Sequence, residues 1–517
     1  MLFNSYEFIF LLLPVAFLGN RILAEHYNAR VIWLLACSLF FYAWWNPVYL
    51  PLLLVTVGFN YRVGRRLSDY REKWLLVLGI AANLCLIGYF KYANFFVQSV
   101  NSLGGAEYDL GHIALPLAIS FFTFQQIAYL VDCYSGVSTG YRPMEYALFV
   151  SFFPQLIAGP IVHHAEMMPQ IRVPSRRIRE DLSVGLTIFS IGLFKKAVLA
   201  DGIAPYANEL FDSESAWQSV TFFHAWIGCL AYGLQIYFDF SGYSDMAIGS
   251  ARIFGIKLPL NFFAPYRSET ISDFWRRWHM TLSHFLRDYL YFPLGGNRNG
   301  TVNRYRNLMV TMLLGGLWHG AGWTFVLWGL LHGSFLVMQH GWSHMTSGVT
   351  GWKRLPPYRM AACAVTFIAV HFAWVYFRAG SLESANQVAR GMVGMNGVSI
   401  PDAIFNRLGS LATPLGNLGI GEDAASGSLF VAAIAWITAL LTIVWTMPTT
   451  QQFMIQHEPA WEYANDERVR TLPGPGVGWH LPLTWKPTLR WSIVISLISV
   501  VGVLSLAELS EFLYFQF

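Results

Sequence analysis

Charge is scarce in this chain of 517 residues: Asp, Glu, Lys and Arg together make up 12% of it. A soluble domain uses about twice that fraction to cover its surface, so a water-exposed globule is excluded. Cysteine is sparse as well. Cys37, Cys85, Cys133, Cys229 and Cys363 lie mostly within apolar runs and show no paired spacing, so neither a disulfide framework nor a cysteine zinc site follows from them. The phosphate-binding P-loop, the HExxH helix and the dinucleotide fingerprint are all missing, which argues against an ATPase, a zinc protease and a dehydrogenase. The formal net charge is only +4, and the basic residues sit in short loops, a pattern unlike that of nucleic-acid binders. No fixed-period repeat or low-complexity tract is visible.

Apolar residues are abundant: 55% of the chain is hydrophobic and 16% aromatic, with a mean hydropathy of +0.42. Long apolar runs predict an all-α polytopic membrane protein of about 11–13 helices, with re-entrant segments. Candidate spans are 7–21, 31–45, 48–61, 74–90, 113–131, 183–200, 221–240, 308–340, 360–377, 428–446 and 491–508. The first, in MLFNSYEFIFLLLPVAFLGN, lacks a basic n-region and a small-residue cleavage site, and reads as a retained span. Basic loops set the orientation. Arg62, Arg65, Arg66, Arg71 and Lys73 form one cluster, and Arg172, Arg176, Arg177 and Arg179 a second. A third runs from Arg267 through Arg276, Arg277, Arg287, Arg298 and Arg304 to Arg306. The positive-inside rule puts all three in the cytoplasm and the N-terminus outside. The acidic 201–220 loop is then extracytoplasmic.

Parity makes two segments unusual. ALFVSFFPQLIAGPIV, with Pro154, Gly159 and Pro160, must return to the side it came from, so it reads as re-entrant. The uncharged run 308–340 would be ~48 Å long as one helix, against a hydrocarbon core of ~30 Å. Basic loops flank it on both sides, so a break is expected near Gly315-Gly316 or within His319-Gly320-Ala321-Gly322. Backbone freed by such a break must be buried in protein or line a cavity.

Polar groups inside apolar runs need partners. His319, at the expected break, is either an imidazole holding a freed carbonyl or a general base or nucleophilic relay. His332 would lie ~140° around an unbroken helix from it, so the two share a site only if the chain breaks between them. In YFDFSGYSDMAIG (237–249), Asp239, Ser241, Tyr243 and Asp245 end a span at which Gly242 invites a bend. They could hold a cation, orient a histidine or cap a helix. The likeness to a G-x-S-x-G elbow fails at Met246. ISDFWRRWHMTLSHFLRDYLYFPLGGNR (271–298) reads as an interfacial helix capped by Ser272 or Asp273, its arginines facing phosphates of lipid or of a nucleotide-bearing donor. His163, His164 and Glu166 form a weak metal pattern, and Lys195 and Lys196 are expected to snorkel.

Three segments together, QIYFDFSGYSDMAIG, ISDFWRRWHMTLSHFLRDYLYFPLGGNR and TMLLGGLWHGAGWTFVLWGLLHG, resemble the membrane-bound O-acyltransferase (MBOAT) family, specifically its bacterial alginate O-acetylation branch. FYAWWNP, GYFKYANFF, VDCYSG and FPQLIAGPI match that branch too, so the likeness covers about residues 1–380. An extracytoplasmic loop (381–427) and C-terminal spans (428–517) with a cytoplasmic loop (447–490) follow this core. The resemblance implies a ring of tilted helices around a central funnel, with His319 catalytic and His332 in support. It also implies a donor-binding or tunnel region containing Trp275, Arg276, Arg277, Trp278 and His279. Asp239, Ser241, Tyr243, Asp245, Trp318 and Trp323 complete the expected tunnel set, with either Trp318 and Trp323 or a freed backbone N–H at the break to stabilise the oxyanion.

The implied activity moves an acetyl group from a cytoplasmic donor, acetyl-CoA, across the bacterial inner membrane for O-acetylation of an exopolysaccharide such as alginate or cellulose. No permanently bound cofactor or metal is implied. A periplasmic acetyltransferase partner and an exopolysaccharide synthesis complex are expected. D-alanyl transfer to cell-envelope polymers is the alternative within the class. A proton-coupled transporter or a scaffold is the alternative outside it, although the two halves show no internal symmetry of the kind transporters carry.

Overall fold

In the computed structural model, residues 1–461, 483–506 and 513 are described, apart from 106, 139, 158, 174, 299, 349 and 350. Much of the expected cytoplasmic loop 447–490 therefore lies outside the described residues. The chain is helical almost throughout. Lys73–Gly104, Ile178–Phe211, Pro356–Arg378 and Gly427–Thr446 are long and apolar enough to cross a membrane, and Phe8–Ile22, Tyr27–Ala43 and Leu489–Leu504 are shorter apolar helices. The all-α polytopic reading stands. Its one exception among the described residues is a pair of short parallel strands, Val398–Pro401 and Ile420–Asp423, inside the 381–427 loop.

The Phe222–Ile253 helix is the axis of the molecule. It would be ~48 Å long, and from Ala225 to Ile253 nearly every residue is buried. It packs against Ile178–Phe194 with almost no side chain between the two backbones. A Cβ on Gly242 would lie 2.8 Å from the Gly192 carbonyl, and one on Gly249 would lie 2.6 Å from that of Gly185. Gly242 therefore serves close packing and not the expected bend, because the helix runs through it unbroken. The partner helix also runs on. A π-helical turn, Lys195–Ala200, leads into Asp201–Phe211, and Glu214–Gln218 follows, so most of the expected 201–220 loop is helix.

Ion pairs at the helix ends fix the polarity of the bundle. Arg252 at the end of the axis helix meets Asp181 near the start of its neighbour (3.1 Å), and Arg378 at the end of Pro356–Arg378 meets Asp212 (2.6 Å). The first two basic clusters meet where Arg71 packs at Gly136 and Arg172 donates to the Gly140 carbonyl (3.1 Å), and the third joins them through Tyr289 at Asp132. This side is called here the basic face, and Asp212 and Arg378 mark the opposite one.

Both unusual segments return to their starting side. Pro143–Ser151 stops at Phe152 and is followed by the single turn Phe153–Leu156. Gly300–His319 and Trp323–Met345 form an antiparallel helical hairpin whose two ends lie at the basic face. Its helices are also pressed together, since a Cβ on Gly316 would lie 2.3 Å from the Phe325 carbonyl.

These close approaches generate a stability prediction. Gly242→Val should destabilise the protein by about 1–3 kcal/mol through overpacking. Gly58→Ala, where an added Cβ meets nothing within 4 Å, should leave the thermal unfolding midpoint of the purified protein nearly unchanged. Equal midpoints for the two variants would contradict the packing.

Candidate functional site

The hairpin turns at Gly320–Gly322, and this turn builds the site. Helical carbonyls at the end of Gly300–His319 have no partner further along the chain. Lys91 and Tyr92 supply the donors: the Lys91 Nζ donates to the carbonyls of Trp318 (2.6 Å) and His319 (2.9 Å), and the Tyr92 hydroxyl to that of Leu317 (2.6 Å). Both residues sit on a π-helical turn, Gly88–Tyr92, of the Lys73–Gly104 span. A side chain at Gly320 would collide with the Phe325 ring, so the turn admits only glycine there.

His319 is buried at the tip of the hairpin, 4% exposed. The rings of Trp318, Trp328 and Phe377 stand 4.9, 5.0 and 5.2 Å from it, and His279 stands 6.5 Å away. His332 comes to the same cage because the break carries it back alongside. Its ring lies 4.7 Å from Trp328, and its Nδ1 accepts the indole N–H of Trp275 (3.3 Å). Trp278 stacks between Phe274 and Trp374 behind this wall.

The 271–298 segment differs from the interfacial helix expected of it. It comprises Ile271–Trp275, Met280–Leu286 and a π-turn, Arg287–Tyr291, and Thr270, not Ser272 or Asp273, is the N-cap. His279 joins the first two pieces with φ +43°, a left-handed conformation uncommon for a residue with a side chain. Arg276 is exposed. Arg277 is buried and holds the loop through Asp273 (2.9 Å) and the Phe263 carbonyl (3.4 Å).

The structure thus brings Trp275, Trp278, His279, Trp318, His319 and His332 together. Trp323 instead faces outward against Phe95. Sequence reasoning gave no role here to Lys91, Tyr92, Asn261, Trp328 or Phe377. Only the lone lysine in GYFKYANFF, a cation within an apolar run, offered a signal.

Asp239, Ser241, Tyr243 and Asp245 lie elsewhere, at the contact of the axis helix with the Lys195–Ala200 turn. Asp239 pairs with Lys196 (2.7 Å), and Asp245 with Lys195 (2.6 Å), Thr450 (2.6 Å) and Gln451 (2.8 Å). Tyr243 donates to Asn4 (2.6 Å), and Ser241 is buried beside them. The two lysines therefore do not snorkel. They neutralise carboxylates in the interior, Lys196 being 2% exposed.

A further polar cluster lies toward the basic face. His163 and His164 both approach one oxygen of Asp132 through Nε2, at 2.5 and 2.8 Å, and the Tyr289 hydroxyl lies 3.2 Å from the same oxygen. Asp132 stands where the sequence pattern suggested Glu166, which instead caps its own helix through the His163 N–H. These ligand atoms converge within 4.8 Å, as a metal would require. However, the His163 Nδ1 accepts the Ala165 N–H, which places its neutral-form proton on Nε2, pointed at Asp132. In this arrangement that nitrogen is a donor and not a ligand. From Tyr289 a ladder of rings, Phe285, Phe124 and Trp318, leads to His319, with successive centroids 5.0, 4.1, 5.5 and 4.9 Å apart.

The assignment of Asp239 to structure is testable. Lys196→Met leaves a buried carboxylate without its counter-charge and should cost about 3–5 kcal/mol. The double variant Lys196→Met/Asp239→Leu should recover most of the loss in thermal unfolding. A single variant as stable as the parent would contradict the assignment.

Comparison with known proteins gives the family of the chain. Residues 133–378, which include His163, His279, His319 and His332, match the membrane-bound O-acyltransferase family, MBOAT. A peptidoglycan O-acetyltransferase of Helicobacter pylori is 48% identical over 77% of this chain and 81% of its own. A probable alginate O-acetylase, AlgI, of Pseudomonas fluorescens is 35% identical over the full length of both chains. A teichoic acid D-alanyltransferase of Streptococcus thermophilus is 28% identical over 50% of this chain and 67% of its own. The chain therefore belongs to the MBOAT family and is an O-acyltransferase of the membrane.

Proposed function

We propose that the protein transfers an acetyl group from cytoplasmic acetyl-CoA to a hydroxyl of an extracytoplasmic envelope glycan, with His319 as general base. The observation that carries this reading is the placement of His319. It sits at the tip of a hairpin that enters from the basic face, at the end of a row of packed rings that leads from that face. Positive-inside orientation makes that face cytoplasmic. The membrane is then the bacterial inner membrane, and the N-terminus lies outside.

The chemistry follows from these positions. A donor at the basic face would extend its thioester along the Tyr289–Phe285–Phe124–Trp318 ladder. The acceptor hydroxyl enters from the opposite face. His319 takes the hydroxyl proton as the oxygen attacks the carbonyl carbon, a contribution of roughly 10²–10⁴-fold. The new C–O bond forms, the C–S bond breaks, and the imidazolium returns its proton to the departing thiolate. The indole N–H groups of Trp318 and Trp328 are buried and meet no acceptor among the described residues, so both are donors for the developing oxyanion. Trp328 takes the place that sequence reasoning gave to Trp323.

The relatives widen the substrate class. Exopolysaccharides such as alginate and cellulose were the sequence-based expectation, and the Helicobacter relative is named for peptidoglycan. The proposal is accordingly an envelope glycan hydroxyl, reached directly or through a periplasmic acetyltransferase partner. D-alanyl transfer is the less supported reading, because the D-alanyltransferase relative matches only half of this chain.

His319→Ala should lower turnover of labelled acetyl-CoA by at least about 10²-fold in purified protein in nanodiscs. Unfolding midpoint and monodispersity should stay at parental values. Equal turnover in parent and variant would overturn the role of His319.

A further inference from the structure

Asn261 lies in the loop that follows the axis helix, 0% exposed, and both polar atoms of its side chain are engaged. Its Oδ1 faces the Thr281 backbone N–H (3.4 Å), the Thr281 hydroxyl (2.9 Å) and the His279 Nδ1 (3.0 Å), and its Nδ2 faces Ser244 Oγ (3.3 Å). A backbone N–H can only donate, so the amide atom turned toward Thr281 and His279 is the oxygen. Thr281 Oγ1 already accepts the Ile161 N–H (3.0 Å), which leaves its proton for Asn261 as well.

The consequence falls on His279. Facing an oxygen, its Nδ1 must carry the proton, and in the neutral ring Nε2 is then a bare acceptor. That Nε2 is buried and has no hydrogen-bond partner among the described residues. Its ring is walled by Phe240 at 4.8 Å and Trp318 at 5.9 Å, with His319 at 6.5 Å. The backbone is strained into place: φ at His279 is +43°, and the strand-like contacts Met280 N–H to Asn261 carbonyl (3.0 Å) and Phe263 N–H to Arg277 carbonyl (2.9 Å) hold it there. Such strain persists only where the surroundings impose it.

His332 has the opposite polarity. Its Nδ1 accepts from Trp275, so its neutral-form proton is on Nε2. Of the two imidazoles flanking His319, one is built as an acceptor and the other as a donor.

We propose that Asn261 is a positioning residue that fixes His279 as the Nδ1–H tautomer, so that its buried Nε2 lone pair is held as an acceptor in the cage it shares with His319. Two imidazoles joined by a direct N–H···N bond have centroids about 5 Å apart, from a ~2.9 Å bond and two ~1.1 Å ring radii. At 6.5 Å the two rings are not joined by such a bond, so the His279 lone pair acts on His319 across a gap. When His319 takes the hydroxyl proton, the His279 lone pair stabilises the cation, and Asn261 keeps His279 from presenting an N–H there instead. This deepens the general-base reading above and rests on it.

The test separates the two. In ¹⁵N-histidine-labelled protein, nitrogen chemical shifts should show a neutral Nδ1–H histidine that disappears in His279→Gln. Asn261→Ala should abolish that signature and lower kcat for acetyl-CoA turnover by about 10²-fold with KM little changed. Asn261→Asp, which still accepts from Nδ1–H, should keep the tautomer and hold kcat within a few-fold. Finding His279 as the Nε2–H tautomer in the parent protein would overturn the proposal. So would an Asn261→Ala variant that keeps both the Nδ1–H signature and kcat. If the parent turns over no acetyl-CoA, the donor assignment falls, and the labelled spectra still decide the role of Asn261.

Discussion

Lipid offers no hydrogen bonds, so a chain can turn inside a membrane only where protein groups meet the backbone that the turn frees. This constraint governs the molecule. The Gly300–His319 helix ends between the faces because Lys91 and Tyr92 take its last carbonyls and because Gly320 leaves room for the Phe325 ring. With that turn made, His319 is held at a defined depth, and His332 and Trp328 return beside it. His279, on a strained loop anchored by Asn261, closes the cage from the other side.

Two π-helical turns do related work. Gly88–Tyr92 presents Lys91 to the hairpin tip, and Lys195–Ala200 presents Lys195 and Lys196 to the carboxylates of the axis helix. A π-turn widens a helix locally and redirects the side chains it carries. Here each one aims lysine amines at groups that would otherwise be buried without partners. The glycine contacts at Gly192 and Gly242 let the second pairing occur, because they bring the two helices close enough for short side chains to meet.

The sequence made the large features legible through length and charge. An uncharged run too long for one crossing, flanked by basic loops and containing Gly320 and Gly322, signalled a break, and the break in turn placed His332 near His319. Partners that arrive from distant segments were not legible. Asp239 and Asp245 read as a polar patch near a tunnel because nothing in YFDFSGYSDMAIG shows that lysines more than 40 residues upstream face them. Asn261, in an ordinary-looking loop, carries no periodicity or motif. Its importance appears only when its amide oxygen is seen against the His279 ring. The Asp132 cluster was half visible: His163 and His164 stood out, but their carboxylate came from the end of another helix.

The central claim is that an acyl donor from the basic face delivers its carbonyl to His319. The most direct measurement is a structure with a non-transferable ketone analogue of acetyl-CoA bound. The account predicts the analogue's carbonyl carbon beside His319, with about 3–4 Å left for an attacking oxygen. The nucleotide should lie at the basic face, and the chain between them should run along Phe285 and Phe124. An analogue bound from the opposite face, or with its carbonyl outside the cage of His279, His319 and Trp328, would contradict it.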